Sequence, residues 1–210
     1  MSKKAKKAKK EAKKQAKKEK RVVKKKDSIV KKKKKKWYSL IAPKEFSNIE
    51  IGETLASEDK EVLGRKICIS LGVVTRQLRK NNVKVSFIVN NVKEGKATTE
   101  LIGYNLVPTY VKRSVRKGKS KIDDSLILKT KDDVEVVVKP FAVTRNKVTK
   151  SVLNQIRMDM RKELKELFAK EKFDDIISKV IKTDIQRGLK NKLKKIYPLS
   201  IVEIRFLKRK

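Results

Sequence analysis

Between about residues 37 and 147 apolar and polar positions alternate along the chain. In "VKVSFIVNNV" (83–92), Val83, Val85 and Phe87 fall on one side, and in "GRKICISLGVV" (64–74) Ile67, Ile69 and Leu71 do the same. A period of two is what a strand buried on one face requires, and "TTELIGYNLV" (98–107) and "VEVVVKPFAV" (134–143) read as further strands. Turn-forming residues separate them at "NN" (81–82), "KEGK" (93–96) and "KDD" (131–133). "PTYVKRSVRKGKS" (108–120) opens on a proline suited to a helix start and closes on Gly118, which predicts a short basic helix and a loop.

After about residue 148 the period lengthens. Val152, Ile156, Met160, Leu164 and Leu167 recur every three or four positions, as do Phe173, Ile176, Ile177, Val180, Ile181 and Ile185, so two amphipathic helices are expected. Alternation returns in "LSIVEIRFL" (199–207), with Ile201, Glu203 and Arg205 against Val202, Ile204 and Phe206. The predicted fold class is α+β: a mostly antiparallel β-sheet or barrel-like body with a short basic helix, two C-terminal amphipathic helices and a final strand returning to the sheet.

The first 36 residues lack such a core pattern. Ala5, Ala8, Ala12 and Ala16 are spaced for one helical face, yet the lysines between them repel at i and i+4, so helix is expected only when an anion neutralises them. Residues 1–36 are therefore read as a disordered lysine-rich RNA-binding arm. Residues 37–210 are read as the globular body, β-rich over 37–147 and helical over 148–195, with the final strand at 199–207. At the junction, "KKKKKKWYSLIAPKEF" (31–46), Trp37, Tyr38, Leu40 and Ile41 are expected to anchor the chain, Trp37 as a core residue, with Pro43 setting a turn.

Charge sharpens this picture. The 210 residues carry 60 Lys and Arg against 24 Asp and Glu, a net +36, and residues 1–36 contribute half of it. Such a charge must meet a polyanion or be dispersed in solvent. Two clusters in the body read as phosphate-contacting surfaces: Lys112, Arg113, Arg116, Lys117, Lys119 and Lys121, and Arg145, Lys147 and Lys150 at the start of the first long helix. Lys31, Lys32, Lys33, Lys34, Lys35 and Lys36 join them as the point where arm and body grip RNA together. Aromatic residues are few and no stacking-platform motif is present, so backbone and shape recognition is expected over base reading.

Other chemistries fit poorly. There is no histidine and one cysteine, Cys68, expected as a buried core thiol, so ordinary zinc clusters and histidine acid–base catalysis are excluded. The pairs Asp123–Asp124, Asp132–Asp133 and Asp174–Asp175 are read as turn and helix-start residues rather than magnesium ligands. "RSVRKGKS" (113–120) ends like a phosphate-binding loop but has Arg113 where the first glycine belongs. No enzyme activity, cofactor, metal or small-molecule substrate is expected. Nor is a membrane partner, since no apolar window is long enough to span and no secretory leader is recognisable; the expected compartment is the cytoplasm.

Four separated blocks, "WYSLIAPKEF" with "IGET" (37–54), "LIGYNLVPTYVKRSVRKGKSKID" (101–123), "QIRMDMRKEL" (155–164) and "IYPLSIVEIRFLK" (196–208), resemble the small-subunit ribosomal proteins of archaea and eukaryotes called S-three-a-e. The resemblance implies a non-enzymatic protein on the platform of the small subunit, contacting ribosomal RNA near the mRNA exit and the 3′ end of that RNA, with ribosomal proteins as neighbours. The sequence stops at "IRFLKRK", which suggests an archaeal-type member. The alternative is a DNA-compacting, chromatin-like basic protein, for which the lysine–alanine tract alone would serve.

Removal of residues 1–30 is expected to leave cooperative unfolding of the body unchanged while weakening RNA binding. Thermal denaturation and filter binding of the truncated and full chains test this, and loss of cooperativity would refute the division into arm and body.

Overall fold

A computed structural model describes residues 34–77 and 80–210. Lys36–Lys210 form one compact unit. Of the predicted arm, residues 1–33, including Lys31, Lys32 and Lys33, lie outside the described residues.

The order of elements is β1 (Lys36–Ile41), a single 3-10 turn (Lys44–Phe46), β2 (Glu50–Ala56), α1 (Asp59–Val62), β3 (Lys66–Ser70), α2 (Leu71–Thr75), β4 (Val83–Lys93), β5 (Lys96–Leu106), α3 (Pro108–Ser114), β6 (Lys121–Asp123), β7 (Leu126–Lys129), β8 (Glu135–Thr144), α4 (Lys150–Lys170), α5 (Phe173–Lys182), α6 (Asp184–Leu193) and β9 (Leu199–Arg209). Among the described residues the nine strands form one mixed, open sheet, so of the two expected forms it is the sheet, not a closed barrel, that is present. β4 and β5 make a long antiparallel hairpin. Its turn, Glu94–Gly95, has both central residues at positive φ, the conformation whose twist matches the flanking strands.

The last strand completes the sheet. β9 lies between β5 and β8, antiparallel to both, and β8 in turn pairs with β7 and then β6. Pro140 sits where β8 exchanges one partner for the other, at a register shift, a place where a missing N–H is tolerated. A second irregularity shapes β9: Lys139 pairs with Phe206 and Pro140 with Ile204, leaving Arg205 as an extra residue. Val202, Ile204 and Leu207 are accordingly buried, and the simple alternation expected through Phe206 is interrupted.

The main core lies between the sheet and the three C-terminal helices. α4 contributes Ile156, Met160, Leu164 and Phe168, four residues apart and all fully buried. The second predicted helix ends earlier than its apolar period suggests. Thr183, at φ +66, closes α5 and opens α6; its backbone N–H donates to the Val180 carbonyl at 3.1 Å, and the buried Gln186 amide adds a second bond to the same oxygen at 3.0 Å. A third helix therefore carries Ile185, Leu189 and Leu193 into the same core. A smaller cluster joins Tyr38, Leu40, Ala56, Val62, Val89 and Ala97.

Two burial expectations are corrected here. Trp37 is 66% exposed, because β1 points Tyr38 and Leu40 into the small core and Trp37 to the opposite side; the anchoring aromatic is Tyr38, whose hydroxyl donates to Asp59 at 2.6 Å. Cys68 is exposed as well, since β3 pairs only with β4 and turns Ile67 and Ile69 inward.

Trp37→Ala is thus expected to change unfolding free energy by less than about 0.5 kcal/mol. Phe87→Ala, which empties a fully buried site in edge-to-face contact with Phe46, is expected to cost about 3–5 kcal/mol. Urea denaturation of both variants checks the contrast.

Candidate nucleic-acid interface

The fold brings the two basic clusters of the body together through a short hydrogen-bonded clasp. Ser120, at the end of the loop that follows α3, donates its backbone N–H to the Thr144 hydroxyl oxygen at 2.9 Å. The Thr144 N–H returns a bond to the Ser120 carbonyl at 3.0 Å, and the Val148 N–H donates to the Ser120 hydroxyl at 3.1 Å. Thr144 is fully buried, and its hydroxyl donates to the Asn146 carbonyl at 2.6 Å. Loop 115–120 and loop 145–149 are in this way held side by side at one end of β8, although they are separated in sequence by the three strands β6, β7 and β8.

α3 forms because Pro108 pre-sets the first turn, and its last turn carries Lys112 and Arg113. Arg116 and Lys119 follow in the loop. Arg113, Arg116 and Lys119 line a cavity of about 460 Å³ together with Asn82, Ser114 and Ser200, and Tyr110 and Ile201 give it apolar walls. Among the described residues none of its lining is acidic. The Arg113 guanidinium donates to the Asn82 side-chain oxygen at 3.3 Å and the Lys119 ammonium to the Ser200 hydroxyl at 3.3 Å. Neutral partners thus orient these cations without cancelling their charge, which is what an anion site needs.

Burial holds the phenols of Tyr104 and of Tyr110, on the cavity wall, above their usual range, and the charge of Glu203, on β9, adds to it. Burial raises the Glu203 carboxyl itself to about 7, against the opposing pull of Lys190. Near neutral pH Glu203 is therefore only partly charged, and it offsets less of the neighbouring positive charge than an ordinary glutamate would.

The remaining predicted residues divide by place. Lys112 and Lys117 are exposed on α3 and its loop; Arg145 and Lys147 are exposed on the adjoining loop, and Lys150 is exposed as the first residue of α4. Lys121 is partly committed, 3.4 Å from Asp123. Lys34, Lys35 and Lys36 are exposed, Lys36 as the first residue of β1. Pattern reading missed Asn82 and Ser200, which orient the cavity cations, and the Ser120–Thr144 clasp. Asn82 stood in a turn signal and Ser200 at a strand start, and nothing local marks either as a ligand-site residue.

The acidic pairs serve structure. Asp123 accepts from Arg205 at 2.6 Å, and Asp124 accepts from two nitrogens of Arg161, one at 2.8 Å, which ties α4 to the strand end and holds the Asp124 carboxyl below its usual range. Asp174 and Asp175 occupy the first turn of α5, where the helix dipole favours them.

A family model described as the ribosomal S3Ae family matches residues 20–209. The chain belongs to the ribosomal S3Ae family. Curated relatives named small ribosomal subunit protein eS1 come from several archaea. That of Halorubrum lacusprofundi is 35% identical, covering 83% of this chain and 81% of its own length. Those of Nanoarchaeum equitans and Methanothermobacter thermautotrophicus are 34% and 31% identical, over 82% and 81% of this chain and 87% and 88% of their own lengths. S3Ae membership makes this a ribosomal protein with a structural role.

Glu203 also sets a pH dependence. Its folded-state pKa lies above that of an unfolded glutamate, so the folded chain binds the extra proton between about pH 4.5 and 7. The resulting stability is fully present below that window and lost as pH rises through it. Glu203→Gln is expected to remove this contribution to the slope and to gain stability relative to wild type at pH 8, as read by denaturant unfolding at pH 5 and pH 8.

Proposed function

We propose that this S3Ae-family chain is a structural constituent of the cytoplasmic small ribosomal subunit and binds its ribosomal RNA through the paired basic loops and the lysine-rich segment 1–36. The single observation that carries the reading is the cavity in which Arg113, Arg116 and Lys119 converge with no acidic residue among its described lining. A ribosomal partner rich in phosphates is the complement of such a site. Cations held by Asn82 and Ser200 lose little side-chain freedom on binding, so phosphate contact there is favoured over contact by free surface lysines.

Lys112, Lys117, Arg145, Lys147 and Lys150 extend the same surface, each adding a phosphate contact along the RNA backbone. Lys31 to Lys36, which precede Trp37 in sequence, add further cations for the same RNA. Family resemblance supports a seat on the platform near the mRNA exit, with neighbouring small-subunit proteins as further partners. The role is that of a scaffold: neutralising phosphate repulsion lets RNA segments pack where they otherwise would not.

Sedimentation of a cell lysate through a gradient at low and high salt, probing for this chain, tests the assignment. Co-migration with the small subunit is expected, and migration with DNA or as free protein would overturn it. For the site itself, Arg113→Ala with Arg116→Ala is expected to weaken binding of small-subunit RNA at least about tenfold. The salt dependence of the binding constant should become shallower by about one unit for each phosphate no longer neutralised.

A further inference from the structure

We infer that the open face of the sheet, across β3, β4, β5, β9, β8 and β7, is a second RNA surface that takes an unpaired strand, with bases on an apolar strip and phosphates on the lysines beside it. The inference rests on the reading that the partner is RNA, and not on the α3 cavity.

Register places the residues. Directly paired residues share a face, and one row runs Cys68, Ser86, Gly103, Lys208, Val137 and Ile127 across six strands. At the usual strand spacing this row spans about 24 Å. The adjoining row runs Lys84, Asn105, Phe206 and Lys139. Between them and Lys66 opens a groove of about 620 Å³ walled by Ile88, Ile102, Val137 and Phe206. Ile127, 64% exposed, continues the apolar strip at its end.

Charge selects the occupant. Lys66, Lys84 and Lys208 have no ion-pair partner among the described residues, and Lys139 sits over the Phe206 ring, 5.2 Å from its centre. The two carboxylates of this face are already taken: Glu100 accepts from Arg209 at 3.2 Å and Glu135 from Lys210 at 2.9 Å. What is left is an excess of cations around an apolar floor. A polyanion with exposed apolar planes matches both features, whereas a duplex hides its base faces.

The middle of the strip is built from Cys68, Ser86 and Gly103, small residues that leave it flat. At Gly103 a side chain is barred outright, since a Cβ there would lie 2.9 Å from the Leu207 carbonyl oxygen. A base arriving on Phe206 takes the position of the Lys139 ammonium, which is then free to pair with the adjoining phosphate.

Cys68 is the chain's single cysteine, exposed and within the row, so it serves as the probe. A benzophenone maleimide is attached to Cys68 of the full chain, a labelled uridine oligomer of about 12 nucleotides is added, and the mixture is irradiated. An RNA adduct is expected that excess unlabelled single strand removes and a duplex of equal length does not. Phe206→Ala should lower its yield at least about fivefold. Lys84→Glu with Lys208→Glu, two exposed positions outside the core, should do the same with the fold intact by thermal denaturation, and Arg113→Ala should leave the yield unchanged.

No adduct, an adduct indifferent to the Phe206 and Lys84/Lys208 changes, or one lost equally in Arg113→Ala would overturn the second surface. Cross-linking of Cys68 in purified small subunits to protein alone would also overturn it. If the unmodified chain binds small-subunit RNA while the cross-link fails, only this inference falls; if it binds no RNA, the reading of function falls with it.

Discussion

β5 and β8 each leave a run of backbone donors and acceptors facing a gap one strand wide, and the chain fills that gap with its last strand. The pairing of β9 with both neighbours joins the β4–β5 hairpin to the β6–β8 group as one sheet. Without it the two groups would expose unpaired edges, and the three C-terminal helices would have no continuous surface on which to bury Ile156, Met160 and Leu193. Ser200 and Ile201, at the start of this strand, form part of the α3 cavity; Phe206 and Lys208, near its end, lie on the open face. Both proposed RNA surfaces thus depend on the last eleven-residue strand, whose partners lie about 60 to 100 positions earlier.

Electrostatics in the body is organised by what each cation meets. Arg161, Arg205 and Lys192 meet carboxylates and tie elements together, as Arg161 does between α4 and Asp124. Arg113 and Lys119 meet neutral oxygens and remain available. The difference separates cations that hold the fold from cations left available, a separation that net charge alone does not reveal. The Ser120–Thr144 clasp extends the logic: it places two like-charged loops side by side, an arrangement in which an anion relieves the repulsion between them.

Much of the architecture was legible in the order of residues. Alternation in 83–92 located β4 and its inward residues, the "KEGK" signal located the hairpin turn, and the proline and glycine around 108–120 located α3 and its loop. Family resemblance over four blocks was equally legible. Trp37 and Cys68 were misread for one reason. Alternation states that Trp37 and Tyr38 face opposite ways, and likewise Ile67 and Cys68, but residue type was then used to choose the buried side of each. In β1 the pairing that carries Tyr38 toward Asp59 made the choice, against the greater size of tryptophan. The break at Thr183 leaves no mark in the apolar spacing, which continues through it; only a residue in a left-handed conformation separates α5 from α6.

By itself the sequence determined which residues share a face, where the turns fall, and that the chain carries a net charge of +36, because these follow from local periodicity and composition. Only the tertiary structure decided which faces are covered, that the 112–121 and 145–150 clusters form one surface, and that Asn82 and Ser200 orient its cations. It also brought lysines scattered from position 66 to 208 onto one sheet face. Such groupings arise from hydrogen-bonded register between strands distant in sequence, and register is set by the packing of the whole sheet rather than by any segment within it.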